Sequence, residues 1–238
     1  MKAIEKITRE KVRLSKEKKI RQPELFLPVK KSEVPFQLPS GWLWARFGDV
    51  TINRDGERIP LERSVRQGRQ GIYDYYGASG VIDKLDDYLF DKPLLLIGED
   101  GANLINRATP IAFIAKGKYW VNNHAHVLDG LTLANLEYLE VFINAIDLRP
   151  YITGTAQPKM NQAKMNSILV AVAPEAEQKR IVAKVNQLMA LCDELENKLR
   201  QTAVDSGKLM SAAVRQVLDA ISGQEKSQRE TALALSST

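Results

Sequence analysis

Between residues 154 and 199 the order of loop, strand and helix follows almost residue by residue. Gly154-Thr155-Ala156-Gln157-Pro158-Lys159-Met160-Asn161 has the composition of a tight loop, and the apolar run at 168–172 has the length of a strand. Pro174 then stands where a first helical turn tolerates a missing N–H, with Glu175 and Glu177 at the positive end of the helix dipole. From there Ile181, Val185, Leu188, Cys192, Leu195 and Leu199 recur at steps of four and three. That spacing predicts a long helix whose narrow apolar seam pairs with another helix as a coiled coil. Over residues 174–202 such a helix is ~42 Å long at ~1.5 Å per residue. Further on, the seam weakens through Ser206, Leu209, Ala213 and Gln216, and Gly207 costs about 1 kcal/mol relative to Ala.

A chain of 238 residues exceeds one modal domain, which suits one body of about 130 residues with extended helices. Its hydrophobic content of 44% is enough for a real core. No apolar run approaches the length of a membrane span, and residues 1–6 lack the apolar stretch of a secretory signal. One cysteine excludes an internal disulfide framework and a cysteine-based zinc site. A cytoplasmic protein is expected. Residues 1–31 carry eleven Lys and Arg against four Glu, a net +7, so the remainder carries −2 of the overall +5. A basic arm of this kind neutralises phosphates or, equally well, forms a solvated helix face.

The expected organisation is a short basic N-terminal helix over 1–22, with Ile4, Ile7 and Leu14 on one side and in need of a partner. A Pro-rich linker follows over 23–40, through Pro23, Pro28, Pro35 and Pro39. Residues 41–173 form a mixed α/β (α+β) body, 174–221 the long helix, and 222–238 a polar, disordered tail. Within the body, residues 44–52 and 94–97 are strand-like, and the runs 111–115 and 119–128 form a hairpin about Lys116-Gly117-Lys118. Leu136, Leu139, Phe142, Ile143 and Ile146 have helical spacing ahead of Pro150. Between Thr51 and Leu89, irregular loops are expected.

Catalytic signatures are mostly missing. There is no P-loop, no G-x-S-x-G elbow and no H-E-x-x-H. His124 and His126 would share a strand face, but no third ligand stands near them, and structural or surface histidines fit better. The carboxylates at Asp83, Asp86, Asp87, Asp91, Glu99 and Asp100 have the scatter of solvated loop residues. Cys192 is a small hydrophobe of the seam. No metal or cofactor site is expected. What remains is a binding surface: Arg54, Arg58, Arg63, Arg66 and Arg69 in a Gly-punctuated segment, then Tyr73, Tyr75 and Tyr76. Asn122, Asn123, Gln157 and Lys159 add polar groups. Guanidinium forks suit guanine edges or phosphates, and Asn and Gln suit adenine. Interleaved Asp49, Asp55, Glu57 and Glu62 fit ordinary surface ion pairs instead.

In order along the chain, Leu38-Pro39-Ser40-Gly41-Trp42, Tyr76-Gly77-Ala78-Ser79-Gly80, Leu95-Leu96-Ile97-Gly98-Glu99-Asp100-Gly101, Asn123-His124-Ala125-His126-Val127-Leu128, and Gly154-Thr155-Ala156-Gln157-Pro158 with residues 174–182 resemble the specificity subunits of type I restriction–modification systems. The resemblance covers residues 38–218, and 1–37 look like the end of a spacer helix with its linker. It implies a non-catalytic DNA target-recognition domain that reads double-stranded DNA. The implied DNA contacts are the Arg/Tyr segment, the region 122–126 that includes His124, and the loop 154–159. It also implies spacer helices that dock modification subunits, which carry S-adenosylmethionine, and a restriction subunit that uses ATP and Mg2+. Family members carry two such domains and two spacer helices, and this sequence has one of each. It therefore resembles a half-size subunit, or the C-terminal half of a whole one, that pairs with a second half or a second copy through antiparallel helices. A rod of ~42 Å suits half-sites ~34–36 Å apart. Replacing Arg58 or Arg66 by Ala would then relax specificity where either reads a guanine. The alternative is a coiled-coil assembly protein without sequence readout; a stand-alone nuclease fits least.

Overall fold

The computed structural model describes the backbone of residues 2–20, 22 and 26–235, and the side chains of 4–20, 22, 26–218 and 220. In chain order the elements are α1 (Lys2–Lys16), β1 (Leu43–Arg46), α2 (Phe47–Val50), β2 (Ile52–Asn53), α3 (Arg63–Gln67), β3 (Gln70–Gly77), β4 (Gly80–Leu85), β5 (Phe90–Asp91) and β6 (Leu94–Gly98). Then follow α4 (Asn103–Asn106), β7 (Ala112–Ala115), β8 (Lys118–Val121), β9 (Ala125–Asp129), α5 (Leu133–Ala145), α6 (Gln162–Asn166), β10 (Leu169–Val172) and α7 (Glu175–Leu235). Residues up to Lys184 form one unit and those from Val185 a second. The architecture is mixed α/β with a short N-terminal helix and a long C-terminal one.

The strand Leu-Leu-Leu-Ile-Gly of β6 organises the first unit. Successive side chains of a strand point to opposite faces, so a strand with no polar residue needs cover on both sides. Leu95 and Ile97 enter one apolar cluster with Phe47, Ile143 and Val170, while Leu94 and Leu96 enter another with Tyr119, Val121 and Val127. The middle layer is therefore the antiparallel sheet β2-β9-β6-β7. One face is covered by α1, α2, α5 and the antiparallel pair β1-β10. The other is covered by the sheet β4-β3-β8-β5, in which β3 and β8 run parallel.

Several expectations change. The runs at 112–115 and 118–121 do not form a hairpin: β7 pairs with β6 in the middle sheet, and β8 pairs with β3 and β5 in the outer one. The turn at Lys116-Gly117, with Gly117 at φ +74°, steps the chain between layers. Local pattern reveals a turn, but not whether the strands beside it pair. The stretch expected to be irregular contains a real hairpin, β3-β4, turning at Ala78-Ser79; its Tyr-rich strand suits a pleated, half-buried surface. The predicted single run at 119–128 breaks at residues 122–124 into β8 and β9.

The N-terminal helix needs no partner chain. Ile7 and Leu14 are buried in the core of the first unit, with Ile4 packed beside them. Lys11 Nζ donates to the Gly48 carbonyl of α2. The prolines from Pro28 onward lie in non-helical chain, and the ring of Phe26 sits where Gly48 leaves room, 2.4 Å from where a Cβ would be. Arg46 ties this segment down through Glu33 at 2.6 Å. The Pro23 end of the predicted linker and residues 236–238 lie outside the described residues. Through Leu235 the tail is helical rather than disordered, as its run of Gln, Glu, Arg, Ala and Leu favours.

Burial pushes the Lys11 ammonium down to about 8, against the pull of Asp49. A folded-state value below the unfolded one means the charged form costs stability below about pH 8, a cost that fades as pH rises toward 10.5. Lys11→Met is expected to abolish this pH dependence, because it leaves no group there to titrate. Urea unfolding at pH 7 and in the alkaline range checks this: the variant should lose the wild-type gain in stability at high pH.

Candidate nucleic-acid interface

The strands β3, β6 and β8 all end on the same side of the body, and the loops that follow them meet there. These are the Ala78-Ser79 turn, the segment 100–103 leading into α4, and the turn 122–124. Together they line a cleft of about 330 Å³ that includes Ser79, Ile82, Asp100, Asn103, Asn122 and His124. The loop 153–159 joins them. Thr153 and Lys159 exchange backbone hydrogen bonds of 2.8 Å, and Gly101 N donates to Pro158 O at 3.0 Å. Gly154 has φ +82°, and a Cβ there would lie 2.6 Å from the Gln157 carbonyl, so only glycine closes this loop without strain.

Beneath the loops is a buried charge cluster. Glu99, at the end of β6, accepts from Arg58 at 2.9 Å and pairs with Lys159 Nζ at 3.1 Å. His126, on β9, directs Nδ1 at Asp55 Oδ2 at 2.7 Å and Nε2 at the Met160 carbonyl at 2.8 Å. Arg58 also donates to the Ala125 and Asp55 carbonyls. Burial pushes the Asp55 carboxyl up, but the hydrogen bond and charge of His126, aided by Arg58, outweigh it and hold the group below its usual range. Glu99 is lowered against burial by His126, Arg58 and Lys159. For His126, burial pushes down, while Asp55, the Met160 carbonyl and Glu99 together raise it above the ordinary histidine value.

The predicted contact residues separate into two groups. Arg54 pairs with Glu57 at 2.6 Å and Asp129 at 3.0 Å, and Arg58 is only 13% exposed within the cluster. Residues 59–69 lie across the outer face of the β4-β3-β8-β5 sheet, where the Ile59 carbonyl accepts from Trp120 Nε1. Arg66 stacks 5.0 Å over Tyr75 and donates to Asp83, while Arg69 stacks 5.1 Å over Trp120 and pairs with Asp86. Tyr75 is 1% exposed, with its hydroxyl accepting from Leu61 N, and Asn122 is also buried, its Oδ1 accepting from His124 N. Tyr76 packs between the sheets on Phe113 and Tyr119. These side chains hold the fold; of the interleaved carboxylates, Glu57 pairs with Arg54 and Asp55 with Arg58, while Arg66 and Arg69 find their partners in Asp83 and Asp86 across the sheet.

The others stay outside. Asn123, His124, Gln157 and Lys159 are exposed at the loop end, and Arg63 is exposed on α3. His124 lies in the turn before β9 beside Asp100, at 2.9 Å, so the two histidines do not share a face. Sequence reasoning left out Asp55 and Glu99 as organising groups. The signal for Glu99 was its place directly after a fully apolar strand, where a carboxylate cannot be far from the core.

The seam of α7 also divides. Ile181 packs against the core of the first unit, beside the buried Val182, because the first turns of α7 cover the body. In the second unit Leu188, Leu195 and Leu199 are 48%, 52% and 70% exposed, and Cys192 is exposed.

A model of the type I restriction modification DNA specificity domain matches residues 39–203. A type I restriction enzyme specificity subunit of Haemophilus influenzae is 31% identical over 152 residues, covering 63% of this chain and 38% of that protein. The EcoAI specificity subunit of Escherichia coli is 25% identical over 215 residues, covering 81% of this chain and 36% of that one. The chain thus spans little more than a third of the length of these relatives. Among solved structures, the S subunit of a type I restriction–modification system from M. genitalium aligns with a TM-score of 0.51 at 15% identity, over 68% of this chain and 42% of that one. A chain from a study of assembly and conformational transition in the type I system aligns at 0.55 and 14%, over 87% and 53%. At such identities these two establish a likeness of fold. The family match takes in the body from β1 to β10, its converging loops and the start of the long helix: the chain belongs to the type I restriction–modification DNA specificity family.

Proposed function

We propose that this chain is the non-catalytic specificity subunit of a type I restriction–modification complex and reads one half of a bipartite DNA target. The observation that carries this is the convergence of four loops at one end of the body, with exposed Asn123, His124, Gln157 and Lys159 on them. Amides and a lysine on adjacent loops supply the donors and acceptors that base edges and phosphates require. Readout falls to these loops rather than to the arginines of residues 54–69, apart from the exposed Arg63.

The helices dock modification subunits, and the exposed α7 seam joins a second copy or a second half-subunit. No cofactor binds this chain. The modification subunits hold S-adenosylmethionine and take the target adenine out of the stack, and ATP and Mg2+ belong to the restriction subunit. The complex works in the cytoplasm.

Methylome sequencing of a host expressing the chain with its neighbouring modification gene tests this. The expected result is a bipartite adenine-methylated motif, with identical halves for a homodimer and unlike halves for pairing with a different recognition domain. Co-purification of the two proteins without any motif overturns sequence readout. That result supports a second reading, a coiled-coil assembly protein, which the exposed leucines of α7 favour. Affinity against salt separates the two independently, because DNA binding falls steeply as salt rises.

A further inference from the structure

His126 is 1% exposed, and both of its ring nitrogens face groups that only accept hydrogen bonds: the Asp55 carboxylate and the Met160 carbonyl. A neutral ring has one N–H and leaves one of these partners facing a lone pair. Only the doubly protonated ring satisfies both. The Met160 carbonyl belongs to the strand-like segment that closes the 153–159 loop, whose other ties include the Thr153–Lys159 backbone pair, Gly101 N on the Pro158 carbonyl, Met160 N on the Glu99 carbonyl and the Lys159–Glu99 ion pair. The ring therefore sits at the root of a loop that carries the exposed Gln157 and Lys159.

We propose that the His126 imidazolium is a pin that sets the position of the 153–160 loop, so that sequence readout through this loop is lost when the ring gives up its proton. This rests on the DNA-reading role proposed above and assigns its specificity a positioning residue. The charged groups facing the ring are Asp55 and Arg58 from the segment after β2, Glu99 from β6 and Lys159 from the loop itself. With the proton in place the cluster holds three positive and two negative groups. Without it, Asp55 and the Met160 carbonyl compete for one N–H, and the loop is released from the body. A group raised in the folded state stabilises it fully below the unfolded value of 6.5 and ceases to do so as pH rises through the folded value. The released state therefore lies on the alkaline side.

The chain has two histidines, so ring-15N labelling of the full chain gives two sets of signals, and the exposed His124 is an internal reference. His126 is expected to keep both ring protons above pH 6.5, the ordinary histidine value. In parallel, the full chain bound to its modification subunits is measured on the motif found by methylome sequencing and on a scrambled duplex at fixed salt. Between about pH 6 and about pH 9 the preference for the motif is expected to fall about tenfold, tracking the His126 titration. His126→Gln keeps a donor toward Met160 but cannot ionise, and its preference is expected to be flat with pH. A His126 ring already neutral at pH 6.5 overturns the pin, and that measurement needs no variant. So does a pH profile in His126→Gln that parallels the wild type. Absence of preference at every pH, with the ring titrating as expected, instead sinks the DNA-reading role and the pin's function with it.

Discussion

Arg58→Ala is expected to lower the unfolding free energy by about 3–5 kcal/mol, because it removes one partner of a buried ion pair and leaves the other uncompensated. Glu99 would retain only Lys159 and the more distant His126, and the Ala125 carbonyl would lose its side-chain donor. Against the ~5–15 kcal/mol typical of a domain, that is a large fraction of the total. Urea denaturation measures the loss, and DNA binding below the unfolding transition separates it from readout. Affinity for the target and for scrambled DNA should fall together, by the fraction unfolded, with the salt slope unchanged. A selective loss on the target with normal stability would return Arg58 to the reading surface. The sequence pattern had pointed to a guanine fork here; burial and three acceptors at 2.6–3.1 Å point to a tie within the fold.

The second large effect concerns α7. Truncating Leu188 and Leu195 to Ala is expected to leave the thermal midpoint of the first unit unchanged, because these side chains are about half exposed in the single chain. Pairing should suffer instead. Burying one leucine contributes about 1.5–3 kcal/mol, so two truncations weaken association by about a hundredfold or more. Light scattering of the purified chain, alone and with the proposed modification subunits, checks both statements. An unchanged assembly state would show that the seam is not the contact.

The long helix, α5 with Thr132 capping Asn135 N, and the wholly apolar β6 were all legible from spacing, because each is dictated by local periodicity. The role of residues 54–69 was not. An arginine beside acidic neighbours looks the same in one dimension whether it faces solvent or lies over a tyrosine. Only the pairing of β3 with β4, which brings Asp83 back toward Arg66 across the sheet, decides between them. The N-terminal helix shows the same limit. Its apolar stripe was plain, but its receptor is α2, more than thirty residues on, in a stretch expected to be strand. At the loop end, residues 154–159 were legible as a loop from their Gly, Pro and polar composition. Asp55, Glu99 and His126 were not seen as a set, because strands from different layers bring them together.

Two crossings between the sheets lie at one end of the body, and a third, from β8 to β9 through residues 122–124, lies at the loop end. The chain passes from β5 to β6 through Lys92-Pro93 and from β7 to β8 through Lys116-Gly117, each time leaving one sheet for the other within two residues. These seams join the two sheets as one piece of cloth. At the opposite hem, the loop at 100–103 and the segment 153–159 are held by a few polar ties, Gly101 N on the Pro158 carbonyl, Asp100 on His124 and Lys159 on Glu99. Lengthening such a loop twofold costs only about 0.6 kcal/mol in closure entropy. New reading surfaces can therefore be grafted there while the stitched end keeps its shape.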